Sequence, residues 1–164
     1  MKRVILILIS ILLLILDNTF APFISIKGVY PSFLFVFVIS YSIINGTKEA
    51  VIMGVISGLL QDIFFFNGFG VNALANMICC VIAGVVGEDI WRKKVLIPSI
   101  TLFIVTILKF LGVYVIFYFL KINMELVRGV YVALYNSIVM LLTYRMVIWL
   151  SEKEFKKDTW RFRW

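Results

Sequence analysis

Ionisable and amide side chains are scarce in this 164-residue chain, so those standing inside its apolar runs ask for an explanation. Asp17 and Asn18 close the first run, Gln61 and Asp62 lie late in the third, and Asn72 and Asn76 stand four apart in the fourth. Lys109 lies in the fifth run and Asn136 in the sixth. Two carboxylates, Asp17 and Asp62, are the minimum for an aspartyl dyad, but neither sits in sequence that demands one. The chain has no histidine, which removes Ser-His and HExxH chemistry. Acid–base catalysis also needs several positioned groups with matched pKa values, and few candidates exist. Gly68 and Gly70 are not followed by the Gly-Lys-Ser/Thr of a phosphate loop. Cys79 and Cys80 are neighbours, which strains any bridge between them, and without CxxC or histidine no metal site is expected. The residues point away from an enzyme, a cofactor or a metal.

Gly54, Gly58 and Asp62 are four apart and share one helix face. Small residues at that spacing let a second helix approach closely, and Ala83 and Gly87 repeat the device. This predicts a helix-packing or partner-binding face at Gly54, Gly58, Ala83 and Gly87. An acid in hydrocarbon costs about 3 kcal/mol on insertion scales, so Asp62 is expected to face protein or water. The depths of Asp17, Asn18, Gln61, Asp62, Asn72, Asn76, Lys109 and Asn136 predict a single polar cluster in the outer half of the membrane. In that cluster Lys109 is expected to reach Asp62 or Asp17, since a lysine stem spans several ångströms.

The elements that must position these groups follow from composition. Hydrophobic residues make up 63% of the chain and charged residues 15%, with a mean hydropathy of +1.06. A small water-soluble globule cannot hide that much apolar surface, and long apolar runs indicate lipid as solvent. Lipid leaves only helices or a closed barrel, and VILILISILLLIL lacks the alternation of a barrel strand. The expected fold is all-α, a polytopic membrane protein with six transmembrane helices and short loops. The six runs are Val4 to about Ala21, Pro31 to Asn45, Ala50 to Phe66, Val71 to Gly87, Val95 to Leu120, and Val127 to Leu150. Val4 to Leu16 would rise only about 20 Å, so the first helix is expected to continue through Asp17 and Asn18. The basic start followed by an apolar run mimics a signal peptide, but Ala21-Pro22 makes a poor cleavage site, and a retained first span is expected.

With six spans, 12 of the 16 basic residues fall on one side: Lys2, Arg3, Lys48, Arg92, Lys93, Lys94, Arg145, Lys153, Lys156, Lys157, Arg161 and Arg163. Lys27, Lys121 and Arg128 fall on the other, which places both termini in the cytoplasm by the positive-inside rule. Trp91, Trp149, Trp160 and Trp164 share the basic side, so the net charge of +7 speaks for membrane orientation rather than nucleic acid. The expected organisation is one six-helix domain, 1–150, and a basic, aromatic cytoplasmic tail, 151–164, that anchors on anionic lipid.

Pro31-Ser32-Phe33-Leu34 opens the second run, and Gly54-xxx-Gly58-Leu59-xx-Asp62 is followed by Gly70-Val71-Asn72-Ala73-Leu74. With the basic start and six short-looped runs, these residues resemble the rod shape-determining protein MreD family. Pro31, Gly54, Gly58, Asp62, Gly70 and Asn72 carry the likeness, while Ser32 stands where the family often has an acid or amide. The resemblance implies a non-enzymatic membrane partner of MreC, working with the MreB filament and the RodA-type glycosyltransferase and its transpeptidase in lateral peptidoglycan synthesis. It also implies a fold similar to the substrate-binding membrane subunits of energy-coupling-factor vitamin transporters, and such a transport subunit is the alternative. Those subunits carry small residues four apart in the first span, whereas this one has Ser10 alone.

Overall fold

The computed structural model describes residues 2–26, 28–65, 70–89, 95–119, 121 and 126–158, with side chains for all of these but 2, 65, 89, 126 and 152–158. Six α-helices account for nearly all of it: α1 (Lys2–Thr19), α2 (Phe33–Asn45), α3 (Thr47–Phe65), α4 (Val71–Asp89), α5 (Leu96–Phe119) and α6 (Leu126–Asp158). A single 3₁₀ turn, Ala21–Ile24, follows α1, and the described residues hold no strand beyond an isolated bridge between Ile26 and Val29. Three helices are long and apolar enough to cross a membrane: α4 over Val71–Glu88, α5, and α6 over Val127–Ser151. Large apolar side chains stand exposed along these helices, among them Leu142 at 79% and Met146 at 73%. In water such faces would aggregate; against lipid tails they are at home.

The middle of the bundle is α2. Every residue from Leu34 to Ile44 is buried, as expected of a helix apolar on all sides. It packs against α1, α3, α4 and α6, and more lightly against α5. Its serines stay satisfied inside the apolar core because Ser40 and Ser42 donate to Val36 O and Val38 O, both at 2.7 Å. With 13 residues it is only about 20 Å long. Its C-terminus joins α3 through one residue, Gly46, whose φ of 83° is a conformation open chiefly to glycine.

The α3–α4 pair is the most extensive contact of the fold. A Cβ on Gly54 would lie 2.7 Å from Met77 Cα, and one on Gly58 would strike the backbone of Ala73. Gly84 does the same work from α4, where a Cβ would meet Thr47 Cα at 3.0 Å, and Gly87 presses on the backbone of Ile43 in α2. Ala83 is fully buried beside them. Helix packing at Gly54, Gly58, Ala83 and Gly87 is therefore met within the chain. The partner-binding half of that expectation is corrected, because α4 and α2 already fill the face.

The helix in the first run does continue through Asp17 and Asn18, ending at Thr19. Helix α6 passes the expected tail boundary at residue 151 without a break and runs to Asp158, about 50 Å in all. Phe66, Leu120, Trp91, Arg92 to Lys94, and Trp160 to Trp164 lie outside the described residues, as does Lys27.

The glycine seam makes a direct forecast for thermal stability in detergent. Gly58→Val forces a side chain into the α4 backbone and should cost about 3 kcal/mol, as over-packing does. Gly112→Ala, on α5 with nothing within 4 Å of the new Cβ, should leave the melting temperature unchanged or raise it. Equal effects of the two substitutions would contradict the packing described.

Candidate functional site

The first four N–H groups of any α-helix lack partners inside the helix, and at α2 they lie within the protein, with Pro31 and Leu34 buried. Because α1 runs on to Thr19, it carries Asp17, only 5% exposed, up to this helix start. Phe33 N donates to Asp17 Oδ1 at 2.6 Å, and Leu34 N and Ser32 Oγ donate to Asp17 Oδ2 at 3.2 and 2.8 Å. Ser32 is the N-cap and accepts from Phe35 N at 3.3 Å. Ser32 N donates in turn to Asn136 Oδ1 of α6 at 2.9 Å. Side chains from α1 and α6, with the N-cap serine itself, thus meet every orphan donor of α2. The chain before it is held to α6 by Tyr135 Oη, which donates to Ile24 O at 2.7 Å, and by the Arg128 guanidinium on Gly28 O.

Asp62 repeats the device one hairpin later. Also 5% exposed, it accepts from Gly70 N and Ala73 N on Oδ2 at 2.9 and 3.0 Å, and from Asn72 N on Oδ1 at 3.0 Å. An acid in the last turn of its own helix faces that helix's negative end, but here it reaches the positive end of α4. At the opposite end Glu88 returns the contact. Its Oε1 accepts from Thr47 N at 3.1 Å and Thr47 Oγ1 at 3.0 Å, so α3 and α4 each close the start of the other.

A third group lies deeper. Gln61 Oε1 accepts from Asn76 Nδ2 at 3.0 Å and from Lys109 Nζ at 3.1 Å. Asn76 Nδ2 also reaches Ser57 Oγ at 3.3 Å, and Ser57 donates to Gly54 O at 3.1 Å. The Lys109 ammonium sits 4.5 Å from the centre of the Phe35 ring, within range of cation–π attraction. Asn76 Oδ1 is buried with no donor.

The expected single cluster is therefore three groups. Asp17 and Asn136 serve the start of α2, Asp62 that of α4, and Gln61, Asn76 and Lys109 form the third. Asn18 points outward and donates only to Leu14 O at 2.8 Å. Asn72 takes part through its backbone N–H. Lys109 pairs with Gln61 rather than with Asp62 or Asp17, a correction with a simple cause: both carboxylates already hold three donors each. Sequence reasoning missed Ser32, Ser57 and Glu88. A serine directly before an apolar run is an N-cap signal, whereas nothing local marks Glu88 as a cap for a helix 41 residues earlier.

Chemically this arrangement closes helix ends, with Asp17 and Asp62 each engaged by three donors. Among the described residues no three metal-ligating side chains come together. A family model described as rod shape-determining protein MreD matches residues 1–153, and the chain belongs to that family. No curated protein and no solved structure matches.

Separate caps predict separate damage. Asp62→Ala should lose hydrogen-exchange protection at Gly70, Asn72 and Ala73, and Asp17→Ala at Phe33 and Leu34, each costing about 3 kcal/mol. Asp62→Asn, which keeps one acceptor oxygen, should fall between wild type and alanine. If either alanine variant exposes both helix starts together, the caps are one coupled cluster after all.

Proposed function

We propose that this member of the MreD family is a non-enzymatic membrane scaffold of the bacterial machinery for lateral peptidoglycan synthesis, which helps maintain rod shape by binding an MreC-type partner. Through that partner it works with the MreB filament and the RodA-type glycosyltransferase with its transpeptidase. The carrying observation is that the interior acids are committed to helix starts: Asp17 holds two backbone N–H groups and the Ser32 hydroxyl, and Asp62 holds three backbone N–H groups. Groups held in this way build a rigid bundle rather than a reaction centre.

In this reading all six helices cross the cytoplasmic membrane, both termini lie in the cytoplasm, and the basic tail rests on anionic lipid. The shortness of α2 fits, because its start then ends below the outer surface, where only protein can meet its N–H groups. The transporter alternative is less favoured. Ser10 turns inward, fully buried and bonded to Leu6 O at 2.9 Å. The outward face of α1 presents bulky Val4, Leu8, Leu12 and Ile15 instead of small residues for docking.

Depleting the protein in its host should turn rods into rounded cells and delocalise wall insertion. Rods that keep their outline and their lateral insertion would remove the scaffold reading. A stoichiometric vitamin on the detergent-purified protein would replace it with the transport reading.

A further inference from the structure

Inside the bundle one cation fixes the orientation of two buried amides. An ammonium carries only donors, and that of Lys109 lies 3.1 Å from Gln61 Oε1 and 4.5 Å from the centre of the buried Phe35 ring. Gln61 must therefore turn its oxygen, not its nitrogen, toward Lys109. The same oxygen accepts from Asn76 Nδ2 at 3.0 Å, so Asn76 must turn its nitrogen toward Gln61. Exchanging the two ends of the Asn76 amide would set oxygen against oxygen. Exchanging those of Gln61 as well would set an NH2 group against the ammonium. What remains is Asn76 Oδ1, an acceptor on a fully buried side chain with no donor.

Neighbouring donors are left over too. Gln61 is only 5% exposed, and its side-chain N–H groups make no hydrogen bond among the described residues. The ammonium has three N–H groups, and Gln61 Oε1 is the one acceptor that it reaches there. The Ser57 hydroxyl does not serve Asn76 Oδ1, because it donates to Gly54 O at 3.1 Å and accepts from Asn76 Nδ2 at 3.3 Å. Lys109 Nζ and Asn76 Nδ2 share one acceptor, which keeps them within about 6 Å, the span of one molecule hydrogen-bonded on both sides.

The chemistry of these groups selects what can bind them. Asn76 Oδ1 needs a donor, whereas Lys109 and Gln61 need an acceptor. Chloride or a carboxylate only accepts, and would set a second negative atom beside Asn76 Oδ1. A metal ion would meet the charge of the ammonium. Water accepts and donates, and buried water typically makes about three hydrogen bonds to polar groups left unpaired by the protein. We infer that one ordered water is bound between Lys109, Gln61 and Asn76, accepting from Lys109 Nζ and Gln61 Nε2 and donating to Asn76 Oδ1. It is a structural member shared by α3, α4 and α5. The site does not depend on the scaffold reading, since a bundle of any function must meet these atoms.

The test is a crystal structure of the full chain grown from a lipidic phase, with and without bromide, at a resolution that shows ordered water. Radiolytic hydroxyl labelling read by mass spectrometry accompanies it. One spherical density within hydrogen-bond distance of Lys109 Nζ, Gln61 Nε2 and Asn76 Oδ1 is expected. X-rays split bound water where it sits, so Phe35, only 2% exposed, should be hydroxylated in the wild type. Asn76→Leu removes the acceptor and should abolish that labelling; if this variant does not fold, the wild-type density and labelling decide alone. A map that shows other waters but none here overturns the inference, as does an unlabelled Phe35. An anomalous bromide peak at the site makes it an anion site and overturns the inference too. A stoichiometric organic molecule in the same place overturns it and favours the transport reading, whereas the other failures leave the scaffold reading standing.

Discussion

A helix that starts inside a protein leaves backbone N–H groups that no water can reach, and this fold is organised around meeting them. An unmet buried donor costs about 1–3 kcal/mol, so three at one helix start exceed what most single side-chain contacts contribute. Asp17 and Asp62 meet three donors each, with charge-assisted bonds aimed at the positive end of a helix. Each carboxylate comes from a neighbouring helix, so the bond that satisfies one element also fixes its distance and rotation relative to another. Acids inside an apolar bundle then serve as joints.

The joints explain how so slight a contact as that between α1 and α2 holds. Helix α1 keeps most of its surface turned outward, and Asp17 pins its far end to the central helix. Between α3 and α4 the opposite holds: a glycine seam brings backbones together along the whole length, and Asp62 and Glu88 close the two ends. Close approach makes the reciprocal caps geometrically available, because a short carboxylate stem reaches a neighbouring helix start only across a narrow gap.

Much of this was legible in the sequence, and the remainder was not for a definite reason. Apolar runs marked the helices, and the length of the first run required α1 to pass through Asp17 and Asn18. The four-residue spacing of Gly54 and Gly58 marked their seam. Pairing was harder. Opposite charge made Lys109 look like the partner of an acid, but the stronger claim on each acid came from backbone N–H groups, which carry no mark in a sequence. Depth alone placed Asn18 beside Asp17, although one residue of helix turns a side chain by 100° and carries Asn18 outward. Glu88 sits at the edge of a run, like any solvated charge, and only the folded pair brings it to Thr47.

The bond from Ser32 N to Asn136 joins residues 104 apart in the chain, which gives the fold an order in time. During synthesis the α3–α4 hairpin holds both of its own caps as soon as residue 88 has emerged. The start of α2 must wait, since its last acceptor sits on α6, which leaves the ribosome well after the hairpin. A chain truncated before α6 therefore carries a finished hairpin beside a central helix with one end open.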